Sequence, residues 1–163
     1  MKKVIYSLYV DVPAKEHYGT SKIKFDTTKK ANVTINAFKK HYKKLIDCKR
    51  HYANRINADF LMFEYDSKFK TFKKDFEWNY PEFTGYEVIN FYKIHLLYEL
   101  SKKYDEILYL DFDAIPLTDE SFFEKWDLSK GICVYNNNHH VYKDSNTIQG
   151  IRSPTAKYFN CHA

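Results

Sequence analysis

The fold class this sequence predicts is α/β, a mainly parallel sheet flanked by helices, and three observations predict it. Short, nearly unbroken apolar runs recur at Val4–Val10, Ala58–Tyr65 and Glu106–Asp113, the pattern of strands covered on both faces. Between them lie stretches whose apolar residues repeat at helical spacing. The resulting order, β-α-β-α-β-α-β, is that of crossover units, which lay successive strands parallel.

Val4–Val10 reads as a central strand, ended by Asp11 and Pro13. The opening MKKVIYSLYVDVP carries two lysines and an apolar run. That run is short, β-branched and aromatic, with no small-residue cleavage site, so it reads as a strand and not a signal peptide. A polar loop follows through about Thr28. Ile35, Phe38, Tyr42, Leu45 and Ile46 stand at +3, +7, +10 and +11 from the first, one face of a helix that continues through His51–Arg55. Lys29, Lys30, Lys39, Lys40, Lys43, Lys44, Lys49 and Arg50 share this segment and read as its solvated face. No groove-reading motif accompanies them, so nucleic acid is not an expected partner.

Ala58–Tyr65 is the second strand, with Asp66 at its carboxyl end. Ser67–Gly85, rich in lysine and aromatics, reads as a long loop of the kind that carries function. Tyr86–Lys103 is a second helix with a stripe of Ile89, Leu96, Leu97 and Leu100. Lys93 falls on that stripe, four residues after Ile89 and four before Leu97. A lysine among leucines is costly unless it snorkels or meets an anion, and both readings stand. After the Glu106–Asp113 strand, Pro116 closes a loop and Asp119–Trp126 is a short helix. Gly131–Tyr135 is a further strand, Asn136–His140 a polar loop, and Ser153-Pro154 has the form of a helix start.

A chain of 163 residues is about one domain with room for a substantial core. Its net charge of +5 can steer an anionic ligand. The three cysteines, Cys48, Cys133 and Cys161, form no CxxC pair, which argues against structural zinc and for reduced thiols in a cytoplasmic setting. No stretch approaches the ~18 apolar residues of a membrane span.

The chemistry of the chain is concentrated in Glu106–Thr118, EILYLDFDAIPLT. Asp111 and Asp113 follow a buried run, and ligands of open α/β sheets bind just beyond the carboxyl ends of such strands. In an extended chain residues i and i+2 point the same way, so the pair presents two hard oxygen ligands together. Three readings follow. The pair holds Mg²⁺ or Mn²⁺, which binds a diphosphate and acts as a Lewis acid on its departure. Alternatively the pattern is a phosphatase signature of the haloacid dehalogenase type, with Asp111 as nucleophile and Asp113 as general acid. That motif normally ends the first strand of its domain, whereas two strands and two helices precede it here. In the third reading the aspartates are structural, capping a turn or the next helix.

Lys93–Thr118, KIHLLYELSKKYDEILYLDFDAIPLT, resembles the central block of GT-A-type nucleotide-diphospho-sugar glycosyltransferases: a lysine-bearing helix, a K-Y-D turn and an ILYLD-x-D strand. His51–Asp66 is similar to the preceding helix and second strand, and Ile5–Val12 to the first strand, so the resemblance spans about residues 3–136. It implies a single GT-A-like domain over 1–163 that transfers a sugar from a nucleotide-diphospho-sugar to a hydroxyl on a glycan, protein or lipid. It implies that Asp111 and Asp113 belong to the metal and donor site, Asp113 binding Mn²⁺ or Mg²⁺ most directly. Lys93 would lie toward the donor, Phe112 within its site, and Tyr9, Val10 and Asp66 around the base. GT-A domains usually extend further, so the chain is expected to be mainly the donor-binding half, with any catalytic base and third metal ligand elsewhere. No catalytic residue is assigned. His139, His140 and His162 read as ordinary surface histidines. A binding module that retains the fold without turnover is the non-enzymatic alternative.

Overall fold

The computed structural model describes residues 1–11, 27–83, 85–125 and 127–131. Three parallel strands form a sheet in the order β2-β1-β3, with β1 (Lys3–Leu8) between β2 (Asp59–Phe63) and β3 (Glu106–Tyr109). Tyr6 is in register with Leu61 on one side and Tyr109 on the other, and Ile5 with Phe60 and Leu108. Residues in register share a face, so the even-numbered side chains of β1 line one side of the sheet and the odd-numbered ones the other. Central position explains why β1 is sealed on both: Val4, Ile5, Tyr6, Ser7 and Leu8 are all buried. The Ser7 hydroxyl is satisfied there by donating to the Leu110 carbonyl at 2.7 Å.

Helix α1 (Thr27–Arg55) leads from β1 to β2, and α2 (Ser67–Asn79) and α3 (Gly85–Ser101) lead from β2 back across β1 to β3. The two crossovers run in opposite directions across the sheet. Right-handedness therefore sends them to opposite faces. Tyr6, Leu8 and Val10 pack with Phe69 of α2 and with Val88, Tyr92, Leu96 and Leu100 of α3. On the other face Tyr9 meets Phe38 and Tyr42 of α1. Helix α1 is stopped just past Arg55 by Asn57, whose φ of 55° is left-handed, and Ala58 N–H closes onto the Ala53 carbonyl at 2.9 Å.

Three expectations need correction. Ser67–Gly85 is not a long loop, because thirteen of its residues form α2. Asp66 caps that helix, its carboxylate accepting from Phe69 N–H at 2.9 Å, and Phe69, Phe72 and Phe76 then fall on one helical face that packs toward α3. In α3 the buried apolar side chains among the described residues are Val88, Tyr92, Leu96 and Leu100, an i+4 series; Leu96 and Leu100 of the expected stripe are buried, while Ile89 and Leu97 are only partly buried at its edge. The third strand stops at Tyr109, so Asp111 and Asp113 lie beyond it in a turn closed by Ala114 N–H on the Asp111 carbonyl, 3.0 Å.

Met1–Asp119 forms one compact unit, and it contains the three described strands. In the second unit, Glu120–Ala163, the described residues form α4 (Phe122–Lys125) and a 3-10 helix (Leu128–Lys130) that ends at Gly131, φ 110°. The short helix expected over Asp119–Trp126 is thus a single turn. The expected Gly131–Tyr135 strand, the Asn136–His140 loop and the Ser153-Pro154 helix start lie outside the described residues, as do His139, His140, His162, Cys133 and Cys161. Among the described residues no helix is long and apolar enough to cross a membrane.

Candidate functional site

The carboxyl end of β3 divides its side chains between the two faces of the sheet. Tyr109 and Asp111 go with α3, and Phe112 goes with α1. On the α3 side, Tyr6 of β1 donates its hydroxyl to the Lys93 carbonyl at 2.8 Å, pinning the helix where Lys93 emerges. Lys93 Nζ then reaches Asp111 Oδ1 at 2.9 Å and passes 5.1 Å above the Tyr109 ring. Tyr109 donates its hydroxyl to the same Oδ1 at 2.6 Å. Of the two readings of Lys93 as a lysine on an apolar stripe, the structure selects the one in which it meets a carboxylate. Burial pushes the Asp111 carboxyl up, but the bonds from Tyr109 and Lys93 outweigh it and hold its pKa below the usual range. Burial, with Asp111 as acceptor, also keeps Tyr109 a neutral phenol.

Phe112 is buried on the α1 side. It stacks on Tyr9 at 4.6 Å between centroids and 24° between planes, with Phe38 and Tyr42 of α1 each 5.4 Å away. The residue that most departs from the sequence reading is Lys49. Expected on the solvated face of α1, it is 1% exposed. Its ammonium donates to the Phe112 carbonyl at 2.6 Å and to the Leu45 carbonyl at 3.2 Å, and sits 5.5 Å from the Phe112 ring centre. Burial pulls its pKa down, while Cys48, Asp113 and Asp111 act in the opposite direction. The signal was in the sequence: Lys49 stands four residues after Leu45 and four before Ala53, both buried, as Lys93 stands between Ile89 and Leu97.

The residues singled out from the sequence therefore separate into groups. Lys93 and Asp111 meet, Tyr9 and Phe112 stack, and Asp113 is exposed on the turn beside them. Val10 is buried in the core with residues of α2 and α3, where its side chain serves packing. Asp66 has its carboxylate on the N-terminus of α2. Phe38, Tyr42, Tyr109 and Lys49 are the contributors that sequence reasoning left out of the site.

Among the described residues no three His, Cys, Asp or Glu side chains gather into a metal-ligating group. Two carboxylates are nonetheless present, and both oxygens of Asp113 and Oδ2 of Asp111 are without a hydrogen-bond donor among those residues. This donor set suits a small hard cation, which takes one or two carboxylates and completes its shell from water and ligand phosphates. A cleft of about 1020 Å³ lies elsewhere, between β2, α2 and α3, and neither aspartate, neither Lys49 nor Lys93, and neither Tyr109 nor Phe112 lines it. Comparisons with family models, curated proteins and solved structures found no match to this chain.

Proposed function

We propose that this chain binds the diphosphate of a nucleotide-activated sugar through a divalent metal at Asp113 and Asp111, and serves transfer of that sugar to a hydroxyl acceptor on a glycan, protein or lipid. One observation carries the reading. A strand next to the central one delivers two exposed carboxylates at the carboxyl end of a parallel sheet, with a lysine from the preceding helix on the first of them. Asp113, with no hydrogen-bond or ion-pair partner among the described residues, is the direct ligand; Asp111, half engaged by Lys93 and Tyr109, is the oriented one. Mn²⁺ or Mg²⁺ bound there supplies Lewis-acid neutralisation of the departing nucleoside diphosphate. Lys93 adds a fixed cation on the same side, suited to phosphate oxygens as to Asp111.

The test is calorimetry on the full chain with a panel of nucleoside diphosphates and their sugar conjugates, in Mn²⁺, in Mg²⁺ and with the metal chelated. Binding is expected to need metal and to be lost in Asp113→Ala. The proposal fails if no nucleotide binds, or if Asp113→Ala leaves metal-dependent binding intact. Phosphate released from small phosphomonoesters, abolished by Asp111→Asn and indifferent to nucleotide sugars, would establish the phosphatase instead. Metal-dependent binding with neither sugar transfer nor donor hydrolysis would establish a binding module.

A further inference from the structure

The Asp111–Asp113 turn lies past the last bond to the sheet, Leu110 N–H to the Tyr6 carbonyl at 3.0 Å. Lys93 and Tyr109 hold the Asp111 side chain, and two contacts from α1 hold the residue between the carboxylates. The Phe112 ring is held by Phe38 and Tyr42, together with Tyr9 from the end of β1. Its carbonyl, between the two carboxylate-bearing residues, accepts no backbone N–H among the described residues and instead takes the Lys49 ammonium at 2.6 Å. A short neutral side chain on α1 would not span that gap. A charged donor also makes a stronger bond to a carbonyl than a neutral one does.

We infer that Lys49 is the positioning residue of the carboxylate turn: its buried ammonium anchors the Phe112 carbonyl to α1 and thereby sets the direction in which Asp111 and Asp113 are presented. The consequence for ligand binding rests on the donor-site reading above; the anchor itself does not. Lys49 touches neither carboxylate, and no Lys49–carboxylate ion pair is present among the described residues. Its cation nevertheless lies close enough to both aspartates for each to act on its protonation, so anchor and local counter-charge are the same group. Cys48, the other titratable neighbour on α1, bonds instead to the Leu45 carbonyl at 3.1 Å. From the facing elements, Lys93 and Tyr109 are engaged with Asp111.

The experiment compares Lys49→Met, which keeps length and removes charge and donor, with Ala53→Gly, which loosens the same helix at a buried position one turn away from the anchor. Amide hydrogen exchange is read at Ala114, whose N–H closes the turn, and at Leu8 in the central strand. Lys49→Met is expected to speed Ala114 exchange at least tenfold more than Leu8 exchange, whereas Ala53→Gly moves the two together. The inference is overturned if Lys49→Met also moves them together, or leaves Ala114 unchanged. Should that variant not fold, the wild-type chain reads the same contact by nitrogen-15 spectroscopy of its lysines. A Lys49 Nζ whose protons are protected from water, with a coupling across the hydrogen bond to the Phe112 carbonyl carbon, supports the anchor; protons that exchange as freely as those of exposed lysines overturn it. In parallel, Mn²⁺ alone is titrated on the wild-type chain and followed by paramagnetic resonance. If the wild-type chain binds no Mn²⁺, the donor-site reading falls while the exchange measurement still decides the anchor.

Discussion

Asp111 accepts two donors on one oxygen, and this has a consequence for pH. Its pKa is held below the ordinary aspartate value of about 3.9. A carboxyl depressed on folding adds stability above its unfolded pKa and loses it as pH falls through the folded one. The stability gap between wild type and Asp111→Asn is therefore expected to be widest near neutrality and to close below about pH 4. Urea unfolding at pH 7 and pH 3 checks it, and an equal gap at both would remove the ion pair from the stability account. Phe112 has a different task on the other face. Its ring is 5% exposed and packed by three aromatics, so Phe112→Ala is expected to cost about 3–5 kcal/mol in equilibrium unfolding. Phe112→Leu fills most of the same space and is expected to lose much less.

At the scale of elements, α2 depends on its first turn. Asp66 supplies the side-chain acceptor, and the helix has no other acidic residue in that turn to favour its positive end. Asp66→Ala is expected to cost about 0.5–2 kcal/mol, measured by denaturation, with Asp66→Asn retaining most of the cap. The same pair of variants separates a capping role from a donor contact: metal-dependent nucleotide binding is expected to survive both at temperatures where the chain is folded. Helix α3 is apolar on more than its buried side. Beside the Val88-Tyr92-Leu96-Leu100 series it exposes Ile94 and Tyr98 and half-buries Ile89 and Leu97, so its sequence periodicity found Leu96 and Leu100 but not Val88 and Tyr92. Helix α1 carries the reverse lesson, since a run of lysines that reads as a solvated face includes Lys49, which is turned into the core.

For the whole molecule, a net charge of +5 and a carboxylate turn flanked by Lys49 and Lys93 predict electrostatic steering of an anionic ligand such as the nucleotide proposed above. Raising ionic strength from low to several hundred millimolar is expected to slow association in stopped-flow measurements much more than it changes dissociation. Equal salt effects on both rates would remove long-range steering. Alternation of apolar runs with helical periodicity was enough to read from sequence a parallel α/β arrangement, a central first strand and a carboxylate pair next to the third strand, though the pair lies in a turn past that strand and not in extended chain. The role of Asp66 and the helicity of Ser67–Asn79 were also encoded locally, in a cap followed by phenylalanines at helical spacing, but lysines and aromatics obscured them. Only the tertiary structure decided which oxygen of Asp111 meets Lys93, that Phe112 turns to the opposite face, and that Lys49 lies buried against its carbonyl. Those contacts join residues 18 to 103 positions apart, through two crossovers on opposite faces of one sheet, and no periodicity within a single element specifies them.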